Sequence, residues 1–148
     1  MTDRETPAPE HTRPAGVDDA TVEALGTLSE ALEVVEDARG SLYRWHRLSG
    51  TADLALGEAV RQLRAAGHTA FAERLTCELV GRNVLDGRWT FQAVEEYDAG
   101  YYADFRRLEA EARALLVGGR RHLFEAEMKE RNRTHGLPGH EAVPAGGP

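Results

Sequence analysis

Several features that other chains of 148 residues use are scarce in this one. Its single cysteine, Cys77, can form no intrachain disulfide and no metal cage built from several thiolates. No apolar run approaches the roughly 18 residues that a membrane-spanning helix needs. Residues 1–17 are acidic and contain proline, without the basic start and apolar stretch of a secretory signal. From these absences we expect a cytoplasmic protein with no membrane partner.

Positive charge is scarce in the first part of the chain. Residues 1–60 carry twelve carboxylates and five arginines, whereas residues 61–148 carry thirteen charges of each sign, and the net charge is −7. Nucleic-acid-binding proteins usually present a basic face, so we expect no nucleic-acid partner. The sequence also contains no glycine-rich phosphate loop, no Gly-x-Ser-x-Gly motif and no zinc-ligand spacing. No motif therefore identifies a nucleophile, and the catalytic residues of any enzyme stay unknown.

Apolar residues recur at spacings of three and four along most of the chain, which is typical of α-helices. Helices are predicted over 18–48, 52–66, 70–80 and from 90 to about 132, with a break at Ser49–Thr51. Gly118 and Gly119 interrupt the last pattern, and the sequence leaves open whether the chain folds back there. The predicted fold is an all-α antiparallel helical bundle, in which a short hairpin of helices 2 and 3 covers the long helices 1 and 4.

Three regions are predicted from composition. Residues 1–17 form a disordered tail rich in acids and proline, and residues 135–148 form a second disordered tail rich in glycine and proline. Residues 18–134 between them are long enough to bury a core, and they form a single helical-bundle domain.

The stretch from Trp89 to Phe105 interleaves aromatic residues with carboxylates. Asp98 lies on its apolar face, and Arg39 lies in the apolar stripe of the first helix. When the two helices are aligned in opposite directions so that their apolar residues match, Arg39 comes opposite Asp98. This pair is predicted either to be a structural ion pair or to belong to a polar pocket for a small ligand or a metal ion. The candidate pocket residues are Glu36, Arg39, His46, Glu95, Asp98 and Tyr101.

Two pairs of acids, Glu33 with Glu36 and Glu95 with Asp98, are each separated by two residues. They resemble the Glu-x-x-Glu and Glu-x-x-Asp motifs of the MazG-like nucleotide pyrophosphatases. The resemblance implies that these four acids hold magnesium or another divalent cation, and that the alternative function is a small-molecule or metal-dependent enzyme. Apart from what this resemblance implies, we expect no cofactor. Gly81–Tyr102 and Glu127–Glu141 are similar to segments of small helical proteins of actinobacteria, which implies a lineage and no activity.

The second half of the last helix extends beyond its partners in this arrangement. Its large apolar side chains require either a fold-back at Gly118–Gly119 or another subunit. They are Leu115, Leu116, Leu123, Phe124 and Met128. The predicted function is therefore that of an interaction or structural module that self-associates as a homodimer through this segment, and a different protein partner is the alternative.

Overall fold

The computed structural model describes residues 4–146, and within them the secondary structure is helical, with no strand. The α-helices are α1 (Asp19–Ala65), α2 (Thr69–Glu78), α3 (Thr90–Tyr97), α4 (Ala103–Val117) and α5 (Leu123–Asn132). A 3-10 turn covers Pro9–His11, and a π-helical turn, Asp98–Tyr102, joins α3 to α4. None of the helices in the described residues is both long and apolar enough to cross a membrane. The prediction of an all-α protein is confirmed.

Helix α1 begins directly after Asp18, which acts as its N-cap. The Asp18 carboxylate accepts a hydrogen bond from the backbone N–H of Thr21 over 2.8 Å, which satisfies one of the N–H groups left without a helical partner. Hydrogen bonds from the side chain and then the backbone of Thr21 hold the pKa of Asp18 below its ordinary value.

Helix α1 is continuous over 47 residues, so the predicted break at residues 49–51 is wrong. The Ser49 hydroxyl donates to the Trp45 carbonyl over 2.8 Å, and the Thr51 hydroxyl donates to the Arg47 carbonyl over 3.2 Å. Both side chains thus bond back within the helix and do not cap a new one. The glycine between them costs about 1 kcal/mol relative to alanine, which is too little to end the helix. The predicted helices 1 and 2 are consequently one element.

The turn predicted between the end of α1 and α2 is present. Gly67 adopts a left-handed conformation with φ +89°. Its N–H donates to the Arg64 carbonyl, and the N–H of His68 donates to the Leu63 carbonyl. These bonds form a Schellman motif, which satisfies carbonyls at the end of a helix. The reversal brings α2 alongside α1, where Arg64 binds Glu73 over 2.8 Å.

The long final helix predicted from residue 90 is interrupted twice. Gly100 leaves helical geometry, with φ −104° and ψ −106°, inside the π-helical turn. Helix α4 then ends before Gly118 and Gly119, whose φ angles are +63° and +78°, a region that glycine enters without a steric penalty. The interruption expected at this pair is present, whereas the one at Gly100 was not predicted.

The chain forms two compact units. The terminal unit contains the described residues of 1–34 and 104–148, and the central unit contains residues 35–103, so α1 contributes to both. In the terminal unit, the core consists of Val22, Leu25, Val117 and Leu123, with Val17 and Ala112 packed against it. In the central unit, the buried hydrophobic residues include Val60, Ala72 and Val94. The domain boundaries expected from composition stay a prediction.

Candidate functional site

The pairing of Arg39 with Asp98 that the sequence predicts is present in the central unit. Arg39 Nε and Nη2 donate to the two carboxylate oxygens of Asp98 over 2.7 and 2.9 Å. Hydrogen bonding from Arg39 is the largest influence on Asp98 and lowers its pKa, while burial acts in the opposite direction. The guanidinium also lies 5.3 Å from the ring centroid of Tyr102. Both oxygens of Asp98 are therefore occupied, in the geometry of a bidentate ion pair.

The other predicted pocket residues have separate environments. The Tyr102 hydroxyl lies 2.8 Å from both carboxylate oxygens of Glu36. His46 Nδ1 lies 2.7 Å from the Thr90 hydroxyl. Positions 36, 39 and 46 of α1 thus pair with positions 102, 98 and 90, so the two segments run in opposite directions within this unit. Three of the predicted pocket residues are exposed to solvent: Glu36, Glu95 and Tyr101.

The carboxylates expected at a magnesium site have other surroundings. Among residues 4–146, no three histidine, cysteine, aspartate or glutamate side chains are grouped so that they could hold a metal ion. Glu33 and Glu95 are exposed, and Glu36 accepts from a tyrosine hydroxyl. Asp98 is held by a guanidinium. The positions of these residues give no support to a MazG-like metal site.

A buried ion pair in the terminal unit was not predicted. Glu109 is 5% exposed, and it accepts bonds of 2.7 and 3.0 Å from Arg113 and one of 3.0 Å from the Ser29 hydroxyl. The bonds from Arg113 are the largest cause that lowers the pKa of Glu109, and burial opposes them. A signal existed in the sequence, because the alignment that pairs residues 39 and 98 brings Glu109 within one residue of Ser29.

The two ends of the described chain are joined by a guanidinium, which sequence reasoning missed. The Arg133 side chain is 2% exposed. It donates to the carboxylate and the carbonyl of Glu5 and to the carboxylate of Glu130. Arg13 similarly binds Glu127 through two bonds of 2.8 Å. A guanidinium has five N–H donors and can satisfy several acceptors at once, so Arg133 connects the N-terminal segment to α5.

Residues 19–34 of α1 and helix α4 run in opposite directions within the terminal unit. Ser29 binds Glu109. Val22, nearer the start of α1, shares the core with Val117 at the end of α4. The order of contacts along one helix is thus the reverse of the order along the other, and the two helices form an antiparallel pair.

Leucine side chains collect on one side of this helix pair. Ser29 of α1 and Glu109 of α4 join the two helices. Leu28 comes one residue before Ser29, and Leu108 comes one residue before Glu109. In antiparallel helices, this shared offset of about 100° places both on the same side. Leu115 lies about two turns beyond Leu108, along the same line of α4. Leu108 is 53% exposed and Leu115 is 76% exposed, so this side of the pair is apolar and uncovered.

Helix α5 covers the opposite side. Leu123 at its start shares the core with Val117, which lies two residues, or about 200° around α4, from Leu115. Phe124 packs in the same way against Gly26 of α1, where an added β-carbon would lie 3.0 Å from the ring. Of the apolar residues expected to need a partner, Leu123 is therefore buried by the fold-back after α4, whereas Leu115 is not.

This side is named the open face, and it comprises the exposed residues Ala24, Leu108 and Leu115 and the half-buried residues Leu28 and Ala31. The two alanines lie four residues before and three residues after Leu28, so they occupy the same stripe of α1. At the edge of the open face on α4, Arg107 forms ion pairs of 3.3 Å with Asp104 and 3.6 Å with Glu111. The open face thus has an uncharged centre and an edge that carries both signs.

Comparison of the chain with models of known protein families, with curated proteins and with solved structures finds no match. Its function is therefore inferred from the geometry of its own residues.

Proposed function

We propose that this protein is a helical interaction module that self-associates through the open face of its terminal unit. The observation that carries the proposal is the exposure of Leu108 and Leu115 on one side of an antiparallel helix pair whose other side is covered by α5. Of the segment that the sequence predicts to mediate self-association, the proposed interface includes the first part, around Leu115. It also includes residues of α1.

The expected driving force is burial of leucine side chains. Complete burial of a leucine contributes about 1.5–3 kcal/mol, and roughly half of that or more is still available at Leu108 and Leu115 because more than half of each is exposed. In a dimer of identical copies, each copy contributes this burial free energy once, so the total is doubled. Ala24 and Ala31 are small, so they would let the α1 helices of two copies approach closely around Leu28.

A second copy of the chain suits the open face better than a partner of strong charge. A two-fold interface places the same patch of each copy against the other, so the patch must be complementary to itself. The uncharged centre fulfils this condition because it brings no like charges together. The edge fulfils it because Arg107 and its acidic neighbours carry both signs.

The proposal is tested by measuring molar mass by light scattering on the eluted full-length chain over a range of concentrations. We expect a dimer at about 100 µM that dissociates on dilution. Leu115→Glu places a charge in the centre of the open face, and we expect it to weaken the dimer at least tenfold.

The matched control is Ala110→Glu, which adds the same charge at an exposed position of α4. Ala110 lies two residues after Leu108, about 200° away, so the dimer should be unchanged. A wild-type chain that is monomeric at about 100 µM, or equal effects of the two glutamates, would contradict the proposal.

A further inference from the structure

Two clefts in the terminal unit meet at His11. The first has a volume of ≈ 270 Å³ and lies between one face of α5 and the two terminal segments. The second, of ≈ 500 Å³, lies between the 3-10 turn and the turn that follows α4. His11 lines both, so the two clefts are neighbours at this residue.

The two clefts differ in character. The first is mainly apolar, with walls formed by Pro7, Ala8, Ala126, Ala142 and Pro144. Its charges are balanced, because Lys129 and Glu125 both line it and the Glu130 carboxylate already accepts from Arg133 over 2.6 and 3.1 Å. The first cleft is therefore suited to an apolar group.

The second cleft has an excess of positive charge. Arg120 and Arg121 line it together with a single acid, Glu10, although the whole chain has a net charge of −7. Arginine is well suited to binding phosphate and carboxylate groups because its N–H donors match two oxygens at once. The second cleft is therefore suited to an anion.

The histidines at the junction are held in position by the backbone. His11 Nδ1 lies 3.0 Å from the Arg121 carbonyl, which leaves Nε2 as the ring atom available to a ligand. The ring of His122 lies 6.4 Å from that of His11 between centroids. His122 has a φ of +59°, which is uncommon for a residue other than glycine. This backbone conformation, together with the glycine turn before it, directs the chain from the arginines into α5.

We propose that the two clefts form one binding site for a small organic anion with an apolar body. The anionic group lies in the second cleft and contacts Arg120 and Arg121. The apolar body passes the two histidines and lies against Ala126 and the prolines of the first cleft. This site is separate from the open face, and it does not depend on self-association.

The probe is phenyl phosphate, titrated into the full-length chain at low salt and followed by calorimetry and by NMR. Inorganic phosphate, phenol and benzylamine are titrated in parallel. We expect phenyl phosphate to bind at least tenfold more tightly than inorganic phosphate or phenol, because it places its phosphate by the arginines of the second cleft and its ring by the apolar wall of the first. Benzylamine should not bind. Equal affinity for phenol and phenyl phosphate, or no binding of phenyl phosphate up to about 10 mM, would overturn the proposal.

Two variants separate the contributions of the clefts. Arg121→Gln removes a charge from an exposed side chain and should weaken phenyl phosphate about tenfold. Arg131→Gln makes the same change at an exposed position two residues after Lys129, on the other side of α5, and should change binding less than twofold. Ala126→Leu narrows the first cleft, so it should weaken phenyl phosphate and leave inorganic phosphate unchanged. Equal effects of the two arginine changes, or an unchanged affinity in Ala126→Leu, would disprove the assignment.

Discussion

Arg39 and Asp98 form a bidentate ion pair between α1 and the first residue of the π-helical turn. The pair lies two residues before Gly100, where the backbone departs from helical geometry. Four residues beyond Asp98, the Tyr102 hydroxyl binds Glu36 of the same stretch of α1. The irregular turn is thus attached to α1 on both sides of the glycine. Ion pairs of this kind can specify one register among several that apolar residues alone would allow.

Removing both partners of the pair should cost less than the sum of the losses from removing each one alone. Asp98→Asn leaves the guanidinium without its counter-charge, so we expect a lower melting temperature, and Arg39→Met should have a similar effect. The double variant should lose less than the sum of the two single losses, because no unpaired charge remains. The measurement is a double-mutant cycle on thermal or urea unfolding. Strictly additive losses would show that the two side chains do not interact in solution.

Glu109 should be the more costly carboxylate to remove, because it is far better shielded from water than Asp98. Glu109→Ala leaves the Arg113 guanidinium buried and unpaired, and we expect unfolding free energy to fall by about 3 kcal/mol. Ser29→Ala removes a single hydrogen bond and should cost about 1 kcal/mol. The comparison is made by urea denaturation. Glu111→Ala, which changes an exposed neighbour on α4, is the control. If Glu111→Ala lowered the free energy of unfolding as much as Glu109→Ala does, Glu109 would not be a buried partner of Arg113.

The same carboxylates predict how stability depends on pH. The pKa of Glu109 is held below its ordinary value of 4.5, mainly by Arg113, and that of Asp98 is held below 3.8 by Arg39. In the unfolded chain both groups bind protons at a higher pH than in the folded chain. Their contribution to stability is therefore complete above about pH 5 and is lost as the pH falls through the lowered values.

The measurement is the midpoint of urea unfolding between pH 7 and pH 3. We expect the urea concentration at the midpoint to decrease at pH values below about 4.5. In Glu109→Gln, whose side chain does not titrate, this decrease should be less steep. If the variant shows the same slope as the wild type, Glu109 has an ordinary pKa in the folded protein.

Much of the helical architecture follows from local rules that the sequence displays. Asp18 and Gly67 mark an N-cap and a C-terminal turn because their roles depend on a few neighbouring atoms. The pairing of Arg39 with Asp98 could be predicted because each is a charge in an otherwise apolar stripe. Matching the stripes in opposite directions then leaves few registers to choose from.

Other features depend on contacts that local patterns do not encode. Within its own helix Glu109 resembles any surface glutamate, and only the alignment with α1 brings it close to Ser29, which donates to it together with Arg113. Arg133 lies just after the last predicted helix, and one of its partners, Glu5, is 128 residues away along the chain, while the other, Glu130, is three residues away. The clefts around His11 arise from segments at both ends of the chain, so no single stretch could reveal them.

Glycine substitutions in α1 offer a direct test of its continuity. An added β-carbon at Gly40 or Gly50 would have no neighbour within 4 Å. Replacing glycine by alanine inside a helix is favourable by about 0.5–1 kcal/mol when nothing obstructs the methyl group. We therefore expect Gly40→Ala and Gly50→Ala each to raise the unfolding free energy by that amount. If the chain instead broke at residues 49–51, the change at Gly50 would have no such benefit.

Gly26→Ala is the matched comparison, because the same gain in helix propensity is opposed by a specific contact. Its β-carbon would lie 3.0–3.3 Å from side-chain atoms of Phe124, so that side chain must give by a few tenths of an ångström. We expect Gly26→Ala to be less stable than Gly40→Ala by urea denaturation. In the background of Phe124→Ala, which removes the ring atoms at 3.0 and 3.3 Å and keeps the β-carbon at 3.1 Å, Gly26→Ala should recover part of the benefit of alanine. If Gly26→Ala is as favourable as Gly40→Ala with Phe124 present, then α5 does not pack against α1 as described.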